Sequence, residues 1–236
     1  MVSPTQWFKQ RYRLLWWSLF LLSLLPCIKL GWDTYRQQLG ENPLQTLQHT
    51  TGRWALTFLL LSLTITPLRQ MLCHLCLFLH THFGKRLEDW NWIIRLRRML
   101  GLYGFFYASL HLLVYVLFDA ALQWSWAMDD IREKPYIVLG VVAYLMLLPL
   151  AVTSSTYLFQ IMGKQKWQRL HKTVYLILII TILHFWWQTK LGVYTPWPYT
   201  AAAVFLLGFR LLNRLGILRR YRRDDGMEVP QRSELR

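Results

Sequence analysis

The chain has 236 residues, of which 54% are hydrophobic and 13 are tryptophan, and its formal net charge is +15. A water-soluble domain of this length does not carry so many long apolar runs, so the composition excludes an ordinary soluble fold. Only three cysteines are present, which excludes a disulfide framework.

Six apolar segments, each about long enough to cross a bilayer, follow one another along the chain. They are residues 14–30, 54–68, 99–118, 136–152, 170–187 and 197–212. The first run follows basic residues and lacks a small-residue cleavage site, so we expect it to be a retained span and not a signal peptide. The sequence therefore predicts an all-α integral membrane protein, a six-transmembrane helix bundle over residues 14–212.

Basic residues are distributed unevenly over the predicted loops. If residues 1–13 are cytoplasmic, 21 of the 27 lysines and arginines fall on the cytoplasmic side, as is typical of membrane proteins. The six outer ones are balanced by six acidic residues, so the whole net charge lies inside. We therefore predict cytoplasmic N- and C-termini, with residues 213–236 as a basic cytoplasmic tail. This charge favours anionic lipid headgroups and makes a nucleic-acid partner unnecessary.

Two histidines lie at matching depths in different predicted spans. His111 is 12 residues beyond Met99 at the cytoplasmic start of the third span, and His184 is 14 residues beyond Leu170 at the start of the fifth. Both helices run outward, so we expect the two side chains to meet in the outer half of the membrane. Neutral imidazole is an axial ligand of iron porphyrin, so the pair predicts a b-type cytochrome. The alternative is that both are polar helix contacts bonded to neighbouring Ser or Thr.

His171 lies near the cytoplasmic end of the fifth span and is a candidate ligand for a second, inner heme. The matching position on the third span is Arg98, which is not an imidazole. The 13-residue spacing between His171 and His184 places them on different faces of an ideal helix, about 220° apart. A π-bulge or local over-winding would be needed to align them. Otherwise His171 is an interfacial residue in contact with lipid headgroups.

A group of potential metal ligands follows the second predicted span: Cys73, Cys76, His80 and His82. The cysteine spacing is compatible with zinc, but the segment is short and apolar, so we expect an amphipathic stretch at the membrane interface instead. The position of His74 between the cysteines excludes covalent c-type heme attachment. His49, at the outer start of the second span, either caps that helix or lines an outer site.

Several short motifs together resemble the MsrQ family. They are QHTTGRWAL at 48–56, TITPL at 64–68, RRMLGL at 97–102, ASLH at 108–111, PYIVLG at 135–140 and WQRLH at 167–171. MsrQ proteins are heme-binding membrane subunits of the bacterial periplasmic methionine-sulfoxide reductase system, within the ferric-reductase-like transmembrane group. The resemblance covers about residues 10–215, and the segment 71–92 is longer than the family pattern.

The resemblance implies that His111 and His184 bind the iron of an outer heme and that His171 binds an inner one, giving one or two b-type hemes. It also implies FMN as a cofactor, although the sequence has no glycine-rich phosphate loop that would locate a flavin. It further implies that electrons come from the quinone pool and pass to MsrP, a periplasmic molybdopterin enzyme that repairs oxidised methionine. The implied location is the bacterial inner membrane.

About 24 residues follow the last predicted span, too few for a domain that binds nicotinamide and flavin. We therefore expect this chain to receive electrons from quinol or from a separate flavoprotein. We also expect it to be an electron-transfer subunit rather than the catalytic subunit. The loops 33–51, 119–135 and 188–196 are the expected dock for the acceptor. Alternatives are a cytochrome b subunit of another oxidoreductase, a small transporter with histidine proton relays, and a membrane anchor.

Overall fold

The computed structural model describes residues 11–81, 84–189 and 196–215. Within them the chain forms helices joined by short connections and has no strand, which confirms the all-α prediction. The helices are α1 Tyr12–Tyr35, α2 Pro43–Phe78, α3 Asn91–Val114, α4 Trp124–Glu133, α5 Pro135–Val152, α6 Thr156–Met162, α7 Lys164–His171, α8 Val174–Gln188 and α9 Trp197–Arg214. A 3-10 turn, Leu87–Trp90, leads into α3, and a π-helical turn, Tyr115–Asp119, continues it.

Five helical stretches are long and apolar enough to cross a membrane, and they confirm a multi-pass membrane protein: Tyr12–Tyr35, Pro43–Phe78, Leu87–Asp119, Pro135–Val152 and Lys164–Gln188. The predicted sixth span corresponds to α9, which has 18 residues, carries Arg210 and Arg214, and is not among the five. The count of six spans and the cytoplasmic position of both termini therefore stay predictions. Most of the two predicted cytoplasmic ends, residues 1–10 and 216–236, lies outside the described residues.

Helix α2 is much longer than the predicted second span, 54–68. Its 36 residues extend about 54 Å, well beyond a hydrocarbon core of roughly 30 Å. It begins where the Asn42 side chain accepts a hydrogen bond from the Gln45 amide at 3.2 Å, just before Pro43. Even with residues 50–53 added, the predicted span began too late, because polar residues such as Gln48 lower the hydropathy of this segment although Gln48 and Thr51 are both buried.

The predicted fifth span, 170–187, is interrupted and not one continuous helix. α7 and α8 are separated by Lys172 and Thr173, where the Thr173 amide bonds to the Leu170 carbonyl three residues back at 3.0 Å. Such bonds wind the chain more tightly than an α-helix. The local over-winding considered for the histidine spacing is therefore present between the two helices.

Two helix pairs organise the bundle: α2 packs along α3, and α5 packs along α8, while α9 contacts α2 and α8. Gly104 on α3 allows the first pair to approach closely. A Cβ atom there would lie 3.4 Å from the Leu59 amide nitrogen and 3.5 Å from the Ala55 carbonyl oxygen. Side chains from α2, α5, α8 and α9, including Leu63 and Ile177, form the largest apolar core.

Helix α1 lies at the edge of the bundle with most of its large apolar side chains exposed, as a lipid-facing helix would have them. Pro26 removes one amide from its hydrogen-bond ladder. Beside it, the Tyr107 hydroxyl donates to the Ser23 carbonyl at 2.8 Å and accepts from the Cys27 amide at 3.1 Å. A side chain of α3 thus pairs main-chain groups of α1 that have no water to bond inside a bilayer.

Candidate functional site

A cavity of about 520 Å³ lies between α2, α3, α5 and α8. His111 from α3 and His184 from α8 both line it, as do Gly52 from α2 and Gly140 from α5. The volume lies within the range of small-molecule and cofactor pockets, about 300–1,000 Å³. The cavity is therefore large enough for a cofactor, and the two histidines predicted to meet both reach it.

The rings of His111 and His184 approach each other inside the cavity. Their centroids are 6.3 Å apart and their planes are inclined by 80°. Two metal–imidazole bonds of about 2 Å, together with the half-width of each ring, put the ring centres roughly 6 Å apart on opposite sides of one metal ion. The observed separation is thus compatible with two axial ligands of a single iron. Their role as ligands stays a prediction.

Main-chain carbonyls fix the orientation of both rings. His111 Nδ1 lies 3.0 Å from the Gln48 carbonyl oxygen and 3.3 Å from Thr51 Oγ1, and His184 Nδ1 lies 2.6 Å from the Tyr136 carbonyl oxygen. A carbonyl oxygen only accepts, so each Nδ1 carries the proton and donates. The lone pair of each neutral ring is then on Nε2, the atom that remains for a metal.

Two glycines make room for the imidazoles against neighbouring helices. A Cβ atom on Gly140 would lie 2.9 Å from His184 Cε1, and one on Gly52 would lie 3.2 Å from His111 Cε1. Sequence reasoning did not single out these positions, because a lone glycine in an apolar helix shows only that something approaches closely and not what does. The structure identifies the close neighbours as the two candidate ligands.

The cavity is polar at one end and apolar at the other. The polar end, called the mouth below, is at the side predicted to face outward, and it is lined by Asn42, Gln45, Gln48, His49, Asp119, Asp130, Lys134, Gln188 and Thr189. The other end is mainly apolar and is lined by Leu56, Leu59, Ala108, Ala143, Leu147 and Ile177, with Tyr144 among them. A ligand that fills this space has to be amphiphilic, with its charged groups at one edge.

Two carboxylates of the mouth already accept hydrogen bonds from other side chains. Asp130 accepts from Lys134 Nζ at 2.6 Å and from the Tyr115 hydroxyl at 3.2 Å, and Asp119 accepts from Gln48 Nε2 at 2.8 Å. The hydrogen bond with Asp130 raises the pKa of Lys134, which favours the charged form of its ammonium group. The buried Oε1 atom of Gln48 has no hydrogen-bond partner among the described residues.

Four observations support the fit of heme to the residues of the cavity. The ring separation suits two axial imidazoles, both Nε2 atoms are left to bind iron, and the glycines leave the rings room. The fourth is the division of the lining into a polar and an apolar end, because a porphyrin carries its carboxylates on one edge and apolar groups on the other. One heme between His111 and His184 accounts for all four.

His171 lies apart from this cavity. Its ring stacks on Trp167 with centroids 3.9 Å apart, and its Nε2 atom lies 3.2 Å from Thr153 Oγ1. Iron could bind Nε2 only if the contact with Thr153 were broken. Arg97 is close enough for its charge to act on His171. The structure thus places one predicted ligand outside the group formed by the other two, and its role as an inner ligand stays a prediction.

The remaining candidates separate into one at the cavity and several away from it. His49 lines the mouth, and Asn42 caps α2, so the outer-site interpretation of His49 is supported and the capping interpretation is wrong. Cys73 lies in the continuous helix α2, where its Sγ donates to the Lys85 carbonyl at 2.8 Å. In the described part of the chain no group of three His, Cys, Asp or Glu could hold a metal ion. This gives no support to a zinc site at Cys73, Cys76 and His80. The fourth candidate, His82, lies outside the described residues.

Comparisons with known proteins show which sequences this chain resembles. A family described as "Ferric reductase like transmembrane component" matches residues 51–182, which include His111 and His171. The protein-methionine-sulfoxide reductase heme-binding subunit MsrQ of Herminiimonas arsenicoxydans is 41% identical over 170 residues, 72% of this chain and 71% of the relative. The MsrQ proteins of Xanthomonas euvesicatoria pv. vesicatoria and Azospira oryzae are 38% and 37% identical, each over 84% of this chain and over 85% and 78% of the relatives.

Proposed function

Because the chain belongs to the MsrQ family, within the ferric-reductase-like transmembrane group, we propose that it binds heme and carries electrons to a methionine-sulfoxide reductase. The observation that carries the proposal is the pair His111 and His184, with ring centroids 6.3 Å apart and both Nδ1 atoms bonded to main-chain carbonyls. The inner membrane of a bacterium is the location of this multi-pass protein.

In this proposal the Nε2 atoms of His111 and His184 would hold the heme iron. Bound heme supplies one-electron chemistry at the iron. The chain contributes the rest: Gly52 and Gly140 admit the rings, the carbonyls of Gln48 and Tyr136 orient them, and apolar side chains keep water from the inner end of the cavity. The whole bundle over residues 14–212 is proposed as the heme-binding domain, between short cytoplasmic ends.

The proposed donor is a membrane quinol or a reduced flavin, and the proposed acceptor is an MsrP-type periplasmic molybdopterin reductase. Oxidation of one quinol releases two electrons and two protons, and reduction of one methionine sulfoxide to methionine and water consumes two of each, so the overall reaction balances. FMN is proposed from the family resemblance alone. The acceptor is proposed to dock at loops 33–51, 119–135 and 188–196, of which residues 190–195 lie outside the described residues.

The experiment for this function uses the purified chain in proteoliposomes. We expect a b-type absorbance band to develop when a quinol is added, and to fade when an oxidised MsrP-type reductase and a methionine-sulfoxide peptide follow. Bovine serum albumin in place of the reductase is the control for passive reoxidation. Reduction by quinol with no response to the reductase would favour a cytochrome b subunit of another oxidoreductase. A folded, colourless protein would favour a transporter or an anchor.

His171 carries the proposal of a second, inner heme. We expect His171→Ala to leave the heme between His111 and His184 in place, because His171 does not line their cavity. The measurement is heme per chain, by pyridine hemochromogen assay, for the wild-type protein and the variant. A fall from two hemes to one would support the inner site, and one heme in both proteins would reject it. Loss of all heme would contradict the separation of His171 from the cavity.

A further inference from the structure

An arginine of α3 and an arginine of α9 lie at the same height, near the end of the bundle that is predicted to be cytoplasmic. Helices α2 and α3 run in opposite directions, and Gly104 of α3 packs against Ala55 and Leu59 of α2. About two helical turns earlier on α3 is Arg97, and the same distance further along α2 is the turn that contains Leu63. Arg97 is therefore level with Leu63.

The main-chain carbonyl of Leu63 binds the second arginine. Pro67 lies four residues further on and has no amide hydrogen to donate to this carbonyl. Arg210 of α9 donates to it through Nη2 at 2.8 Å, and donates to the Tyr175 hydroxyl through Nη1. The buried Nε atom of Arg210 has no hydrogen-bond partner among the described residues. The guanidinium of Arg210 is thus held between the helices at the height of Arg97.

In the described part of the chain no carboxylate pairs with either guanidinium. The one salt bridge there joins Lys134 and Asp130, at the mouth of the cavity. Arg97 is half-buried, and it lies close enough to Arg210 and His171 for its charge to act on both. Partly buried like charges repel each other and are costly to bury without a counterion. The cluster therefore favours the binding of an anion.

We propose that Arg97 and Arg210 form a binding site for a phosphate group. Arg97 is two residues before the predicted third span and Arg210 two residues before the end of the predicted sixth, so both lie at the predicted level of the cytoplasmic headgroups. Guanidinium donates paired N–H groups to phosphate oxygens, and basic pockets between membrane helices on this side bind lipid phosphates. The phosphate belongs either to a lipid headgroup or to a soluble compound. The site does not depend on the proposed heme.

The test follows the thermal unfolding of the purified chain in an uncharged detergent, washed until no lipid phosphorus remains. Phosphatidylglycerol, digalactosyldiacylglycerol or inorganic phosphate is added at constant ionic strength, and the dependence of Tm on concentration gives each affinity. We expect phosphatidylglycerol to raise the Tm. The galactolipid has the same kind of acyl chains but no phosphate, so it should raise the Tm less.

Arg97→Gln removes one charge from the site. Without added phosphate we expect this variant to be at least as stable as the wild-type protein, because the repulsion between Arg97 and Arg210 is gone. It should bind phosphatidylglycerol about 10- to 100-fold more weakly, the range expected for hydrogen bonds to a charged group. The matched control is Arg98→Gln, which changes the net charge equally at an exposed neighbour on α3 and should keep the wild-type affinity. If Arg97→Gln does not fold, Arg97→Lys supplies the comparison, with a partial loss expected.

The outcomes also distinguish the two sources of phosphate. A response to phosphatidylglycerol alone, weakened in Arg97→Gln, would support a headgroup site. A response to inorganic phosphate as well, weakened in the same variant, would support a site that soluble phosphate compounds can occupy. Equal Tm values in phosphatidylglycerol and galactolipid, or equal phosphatidylglycerol affinities of Arg97→Gln and Arg98→Gln, would overturn the site and leave heme binding untouched.

Discussion

Replacing His111 or His184 with alanine is expected to abolish heme binding in the cavity. Each substitution would remove one of the two side chains proposed to hold the iron and would leave none in its place. Changing a group that merely supports a metal ligand costs about 10–100-fold in affinity, so we expect loss of a ligand itself to cost more than 100-fold. The measurement is heme per protein after size-exclusion chromatography, together with the b-type band after reduction.

Two controls distinguish a lost ligand from a misfolded protein. His74→Ala removes an exposed histidine of α2 that does not line the cavity, and it should leave the heme content unchanged. Free imidazole can enter the space that the missing side chain vacates, so adding it to His184→Ala should restore part of the band. An undiminished band in either His111→Ala or His184→Ala would show that the ligands are assigned wrongly.

Gly140→Ala is expected to weaken heme binding about 10- to 100-fold although it changes no ligand. The added methyl group would lie 2.9 Å from His184 Cε1, closer than such carbon atoms approach each other, and Gly140 lies in the interior of α5, where the backbone cannot easily yield. The imidazole has to move. It then loses either its hydrogen bond to the Tyr136 carbonyl or the orientation of Nε2 that iron binding would need. Titration of the apoprotein with heme measures the change in affinity.

Gly101→Ala is the matched control for this substitution. Gly101 is also a helical glycine, in α3, but a Cβ atom there would have nothing within 4 Å. We expect unchanged heme affinity and, if anything, a stability gain of up to about 1 kcal/mol from the higher helix propensity of alanine. Gly52→Ala, at 3.2 Å from His111 Cε1, should show a smaller loss than Gly140→Ala. Equal affinities for Gly140→Ala and Gly101→Ala would contradict the role assigned to the glycine.

The approach of His111 and His184 could be predicted from the sequence because depth in a membrane helix is a matter of counting residues. Two positions at similar distances from the cytoplasmic ends of parallel spans lie at similar heights. Counting also indicated that His171 would not share a face with His184, which stays a prediction; the structure places His171 away from the cavity. Residue spacing does not reveal the hydrogen-bond partner of each imidazole, because that partner depends on how helices distant in sequence cross.

The length of α2 shows where sequence reasoning fails. Gln48 and Thr51 lower the hydropathy of their segment, so a pattern based on apolar runs begins the helix too late. In the fold these side chains face neighbouring helices: Gln48 binds Asp119, and Thr51 lies beside His111. Polar residues that have partners inside a bundle are compatible with a membrane helix, and only the tertiary structure shows that the partners exist.

The acceptors that hold the two imidazoles have a consequence for the reduction potential of the iron proposed to lie between them. Both are main-chain oxygens, at Gln48 and Tyr136, and neither is a carboxylate. A carbonyl draws the Nδ1 proton less strongly, so the ligands stay neutral, stabilise the ferric state less, and leave the potential higher than a carboxylate-bound pair would. A side-chain substitution at Gln48 or Tyr136 leaves the main-chain carbonyl in place. This contribution to the reduction potential is therefore kept when the residue at either position changes.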